Sequence, residues 1–233
     1  MLILGSLAVT VKLSEVYNYM APILGYWDLR GLGESSRLLL RYAEVEWEDV
    51  VFPLDRVKWS KCKPQLGLEL PNLPYLIDGD IKITQSIAII RYLGRKYQLA
   101  PSNEAEQIRC DMAEQEIMDA TTRQGMLCYN PNMESLKAGY LDTLTDKLEL
   151  LDSFLGKGPW LLGEKMTYVD FLYYELLDHI RTFSSDHFNS TKNINNFSKR
   201  FEALPFMRKW FDSDKYKEGS YIYMPVAMWH GKE

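Results

Sequence analysis

The stretch "LPYLIDGDIKITQS", residues 73–86, carries groups whose spacing suits the capture of a peptide-like molecule. Pro74 opens a strand and gives up a ladder donor, which at a domain edge leaves the amide and carbonyl of Leu73 free to pair with an extended ligand. Asp78-Gly79 supplies a hairpin turn, and a second strand runs to Gln85-Ser86, where the pattern changes to helix. The first amides of that helix have no intrahelical acceptor, and its positive dipole end suits a carboxylate, with the Ser86 hydroxyl as a further donor. A ligand with a peptide backbone and a free carboxylate satisfies both features. The plainer alternative is that Pro74 shapes a turn and Ser86 caps a helix.

Other reactive residue types lack the neighbours they need. "GLGESS", residues 31–36, resembles the start of a dinucleotide fingerprint, but Ser36 stands where the third glycine belongs and only one βαβ unit is readable. His179, His187 and His230 have no metal-ligand spacing and read as surface histidines, and no GxSxG or Cys-His motif supports a hydrolase. Cys62, Cys110 and Cys128 are odd in number and far apart, so neither a disulfide framework nor a zinc site is readable. No metal is expected. A net charge of −5 gives no basic footprint, which argues against nucleic acid and anionic membranes and for a small-molecule partner.

The elements that must position these residues are legible in order. Residues 1–19 contain an apolar run without a basic flank or a cleavage site; they read as an extension, not a signal peptide or membrane span. "ILGYW" is a buried strand, "SSRLLLRYA" a helix and "EWEDVVF" a second strand, followed by an irregular stretch, the hairpin and the helix "QSIAIIRYLGRKY". Residues 20–101 are thus expected as one α/β domain. From 102 to 233 the pattern is helical, with Ile108, Met112, Gln115 and Asp119 on one stripe. Leu136, Tyr140, Leu144, Leu148, Leu151 and Leu155 form a second, core-facing stripe. Thr167 and Asp170 form a capping box that starts a helix running to about residue 182, with Met166 and Phe171 placed as a hydrophobic staple. A last helix is expected over 194–212, and the aromatic tail from residue 221 has no periodicity.

"APILGYWDLRGL", "LGLELPNLPYLIDGDIKITQSIAIIRYLGRKY", "IRCDMAEQEIMD", "MLCYNP" and "MTYVDFLYYELLD" together resemble, in order, a cytosolic glutathione transferase of the mu class. The resemblance implies an α/β thioredoxin-like N-terminal domain plus an all-α C-terminal domain, a cytoplasmic homodimer, and conjugation of glutathione to small electrophilic substrates. Glutathione is then a co-substrate and no cofactor is needed. It further implies that Tyr26 is the catalytic phenol that donates to the sulfur, with Trp27 and Leu32 lining the site. Trp59 and Lys63 would reach the glycine end of glutathione. Asn72, Leu73 and Pro74, the last after a cis bond, would pair with the cysteinyl unit, and Gln85 and Ser86 would hold the γ-glutamyl carboxylate. Asp119 would come from the partner subunit towards the glutathione amino group, and Tyr129 would overlie the acceptor. Arg91, Arg95, Asp111 and Glu114 match charges that the family places across its two-fold interface.

Three departures stand beside the resemblance. Residues 47–59 leave no room for the long loop of many mu-class members, Leu70 replaces the family's interface-locking phenylalanine, and the tail over 224–229 is shortened. An alternative function on the same fold is a binding protein that sequesters apolar molecules without turnover. A thiol-disulfide oxidoreductase lacks a cysteine where Tyr26 stands.

Overall fold

In the computed structural model, which describes residues 21–232, the alternation of "ILGYW" becomes β1 (Ile23–Trp27), with Leu24, Gly25 and Tyr26 buried. α1 (Glu34–Tyr42) carries an acid in its first turn and Arg41 in its last, an arrangement that complements the helix dipole. β2 (Glu48–Phe52) then pairs parallel with β1, from Ile23 opposite Glu48 to Trp27 opposite Phe52. Only residues 53–56 separate β2 from α2 (Val57–Cys62), and a 3-10 turn (Lys63–Gln65) follows. β3 (Tyr75–Asp78) and β4 (Ile81–Thr84) form the expected hairpin, with Gly79 at φ +60° where a left-handed turn residue is required. The sheet runs β2-β1-β3-β4, with β3 antiparallel to β1, and α3 (Ser86–Lys96) follows it.

The rest of the described chain is helical: α4 (Glu104–Cys128), α5 (Met133–Leu155), α6 (Tyr168–Phe183), α7 (Ser185–Asn189), α8 (Lys192–Glu202), α9 (Pro205–Asp212) and α10 (Asp214–Lys217). Asn103 caps α4 by accepting the Glu106 amide at 3.0 Å. The capping box at Thr167 and Asp170 starts α6 as expected. α6 is buried on nearly every side, because α1 and α3 cover one flank while α4 and α8 cover others. One apolar cluster runs from Leu24, Leu38 and Ile90 through Phe171 and Leu177 to Leu148 and Phe201, so the two domains share a continuous core.

Two expectations are corrected. Residues 194–212 form two helices, because Pro205 cannot donate to the helix ladder and forces Leu204 to φ −63°, ψ 143°. Leu136 is exposed, and the expected stripe on α5 is buried only from Leu144 onward. Ile108 and Met112 on α4 are exposed too. The expected extension over 1–19 lies outside the described residues.

Candidate active site

Tyr26 stands near the end of β1 with its ring buried under the loop that follows. The glycines of "GLG" explain that cover. A Cβ on Gly33 would stand 2.4 Å from Cδ1 of Tyr26, and one on Gly31, which adopts φ +40°, would stand 2.6 Å from its hydroxyl. They serve close approach to a phenol, not to a pyrophosphate. The Tyr26 oxygen accepts the Leu32 amide at 3.0 Å, which leaves its own proton free to be donated. Burial raises the phenol pKa, while the Leu32 amide and the Arg37 guanidinium, 5.7 Å from the ring centroid, oppose the rise. The group is therefore a neutral hydrogen-bond donor at physiological pH.

A charged scaffold that the motif reading left out holds this loop. Arg37, only 3 % exposed, donates to the Leu29 carbonyl at 2.8 Å and pairs with Glu34 at 3.3 Å and Asp49 at 3.2 Å. Arg30 pairs with Glu175 at 3.0 Å and Asp178 at 2.7 Å, which ties the loop to α6. The sequence signal was a charged residue within the apolar run "SSRLLL" at helical spacing from Glu34. His179, expected on the surface, is buried on α6 with Nε2 3.4 Å from Glu175, because α6 runs through the core.

Of the residues expected to clamp the ligand, Trp59 and Leu73 pack in one cluster with Tyr26. Trp59, buried on α2, stacks on Tyr75 at 6.2 Å and meets Phe52 edge-on at 5.4 Å; it shares an apolar cluster with Tyr26 and Leu73. Trp27 is half-buried beside Phe52, whereas Lys63 on the 3-10 turn and Asn72 before β3 are exposed. The Leu73-Pro74 peptide is cis, and among the described residues no intrachain main-chain hydrogen bond engages Leu73. Gln85 adopts φ 73°, ψ 116°, a conformation costly for a non-glycine residue, and no side chain caps α3. Ser86 lines a cavity of about 20 Å³ together with Leu32, Ser35, Thr121 and His179, so the open helix end and the loop after Tyr26 meet.

Asp119 stands apart from this group. It is exposed on α4 beside a separate small cavity shared with Arg123 and Lys147. Tyr129, at the end of α4, is 44 % exposed, accepts the Met224 amide at 2.9 Å and meets Tyr223 edge-on at 5.7 Å. Of the expected interface charges, Arg91 pairs within the chain with the buried Glu114 at 2.6 Å and lies 3.6 Å from Asp111. Leu70 is 68 % exposed, and a cavity of about 170 Å³ opens between α4 and α5, lined by Met112, Leu150 and Phe154.

The family model described as "Glutathione S-transferase, N-terminal domain" matches residues 22–95, and "Glutathione S-transferase, C-terminal domain" matches residues 118–214. The chain is 42% identical to glutathione S-transferase Mu 1 of Bos taurus over 219 residues, covering 91% of this chain and all of that one. It is 44% identical to glutathione S-transferase Mu 2 of Rattus norvegicus over 223 residues, with the same coverage. Among solved structures, the glutathione S-transferase Blo t 8 superposes with a TM-score of 0.82 at 34% identity, covering 89% of this chain and 99% of that one. The Pi-class enzyme of Onchocerca volvulus superposes with a TM-score of 0.81 at 26% identity, covering 89% of this chain and 100% of that one.

Proposed function

The chain belongs to the glutathione S-transferase family, and from that premise we propose that it conjugates the glutathione thiolate to electrophilic apolar acceptors, with Tyr26 stabilising the sulfur anion. A free thiol of pKa about 8.5 is only a few per cent ionised at pH 7, and the thiolate is the nucleophile. Lowering that pKa by about two units takes roughly 2.7 kcal/mol of preference for the anion, within reach of a charge-assisted hydrogen bond in a partly dry site. Tyr26 suits this role because its proton is free while its oxygen already accepts the Leu32 amide, and that geometry carries the proposal. The thiol proton leaves to solvent, the sulfur attacks the electrophilic carbon, and on a chloronitrobenzene chloride departs as the C–S bond forms. Tyr26 keeps its proton throughout.

In this reading Leu73 pairs main chain to main chain with the cysteinyl unit, and the uncapped end of α3 at Gln85 and Ser86 takes the γ-glutamyl carboxylate. Asn72 and Pro74 shape the same turn into β3, Trp59 and Lys63 meet the glycine end, and Trp27 and Leu32 close the sides. Tyr129 lines the acceptor side. The partner subunit's Asp119 completes the amino end within a homodimer, in which Leu70 enters the cavity between α4 and α5 of the other copy. The site as read uses no cofactor. Among the described residues no helix is long and apolar enough to cross a membrane.

Replacing Tyr26 by Phe tests the proposal. The bound thiol, titrated by its thiolate absorbance, should ionise about two units higher, and conjugation of a chloronitrobenzene at pH 6.5 should fall about fiftyfold with glutathione affinity retained. Undiminished turnover would overturn the assignment. Glutathione retention by the unaltered protein with no conjugation of any acceptor would favour a sequestering role instead.

A further inference from the structure

Three consecutive amides after the start of the Tyr26 loop have acceptors from two different sources. The Arg30 amide donates to the Tyr221 carbonyl at 2.8 Å, the Gly31 amide to the Ile222 carbonyl at 3.1 Å, and the Leu32 amide to the Tyr26 oxygen at 3.0 Å. The first two acceptors belong to the C-terminal segment, more than a hundred residues beyond the clamp. Leu32 is 42 % exposed and Gly31 has no side chain, so packing does little to set the direction of the third amide. Planar peptide units on either side do set it. On the other side, the Arg30 carbonyl accepts the Gly33 and Glu34 amides and so begins α1.

The acceptor segment is itself held from farther along the chain. Ile222 is 1 % exposed and donates its amide to the His230 carbonyl at 2.8 Å. Gly231, at φ +75°, presses against it so closely that a Cβ there would stand 2.6 Å from Cδ1 of Ile222. Tyr221 meets the His230 ring edge-on at 5.1 Å. An unbroken set of contacts therefore joins residues 230–231 to the phenol.

We propose that Tyr221 and Ile222, latched by His230 and Gly231, are positioning residues for the reaction: their carbonyls fix residues 30–32 so that the Leu32 amide reaches the Tyr26 oxygen. A hydroxyl whose oxygen accepts a hydrogen bond is the stronger donor through its own proton. Tyr221 also packs against the cluster of Tyr26, Trp59 and Leu73, so the latch is loosened at residues 230–231, which lie outside that cluster, to weaken the bond from Tyr26 to the sulfur. The inference rests on the catalytic assignment of Tyr26.

The test is a chain ending at Trp229, beside a Gly231→Ala variant that changes one methyl group and keeps the question answerable where the shortened chain does not fold. In both, the ionisation of bound glutathione and the acid limb of kcat/KM should move up by about one pH unit. The rate should fall about fivefold at pH 6.5 and less than twofold at pH 9, with glutathione affinity within twofold of the parent. Combined with Tyr26→Phe, neither change should move the titration further. A uniform rate loss at every pH, or an unmoved titration, overturns the proposal while Tyr26→Phe still shifts the thiol. If Tyr26→Phe itself leaves the thiol unmoved, the catalytic reading fails and the latch proposal falls with it.

Discussion

A methyl group added at Gly33 would meet the Tyr26 ring at 2.4 Å, whereas one added at Gly139 on α5 would meet nothing within 4 Å. The two positions separate crowding from conformational freedom, since neither glycine is among those at positive φ. Gly33→Ala should destabilise the fold by about 1–3 kcal/mol, because the aromatic ring is wedged beneath the loop and must shift. It should also impair conjugation, because that shift moves the phenol. Gly139→Ala should stabilise by roughly 0.5–1 kcal/mol, the ordinary gain of alanine over glycine inside a helix, with activity unchanged. Urea denaturation and initial rates measured on the two variants check both statements. A harmless Gly33→Ala would mean that Tyr26 has more room than its surroundings indicate.

At the scale of elements, the start of α6 rests on one buried carboxylate. Asp170 accepts the Leu161 and Thr167 amides, each at 2.8 Å, and the Thr167 hydroxyl at 3.2 Å. Burial pushes its pKa from 3.8 up to about 7, against the pull of those three donors. The folded state therefore binds the proton more tightly than the unfolded one. The stabilisation linked to that proton is complete below about pH 4 and is lost as pH rises through 7, by at most about 4 kcal/mol. Asp170→Asn should lower stability overall yet flatten its decline between pH 5 and 8, measured as urea midpoints; an unchanged slope would mean that Asp170 is ionised throughout. This helix start was legible in "MTYVDF" because a cap depends on residues three apart, and the hairpin was legible because its turn is local. The break at Pro205 was visible in the sequence too, but helical periodicity on both sides of it suggested one element. The pairing of the tail with the Tyr26 loop left no such trace, since it runs from carbonyl to amide and is indifferent to side-chain type. Likewise, the burial of His179 and the exposure of Leu136 depend on which elements pack together, which periodicity alone does not determine.

At the scale of the whole molecule, the clamp and the residue proposed to finish it do not meet within one chain. Tyr26, Trp59 and Leu73 share one cluster, and Ser86 faces Leu32, while Asp119 lies on α4 beside Arg123 and Lys147. In the proposed reading this carboxylate reaches glutathione from a second copy, so assembly and affinity should be coupled. Leu70→Glu places a charge on the exposed side chain proposed to enter the cavity between α4 and α5, and desolvating that charge opposes association. Sedimentation should then report a monomer, and glutathione affinity should weaken about tenfold, the equivalent of roughly 1.4 kcal/mol for one lost charge-assisted contact. Asp119→Asn should produce a similar loss in a protein that remains dimeric. The two changes together should weaken binding no more than Leu70→Glu alone, because a monomer has no second Asp119 to lose; additive losses would place that carboxylate's influence within its own subunit.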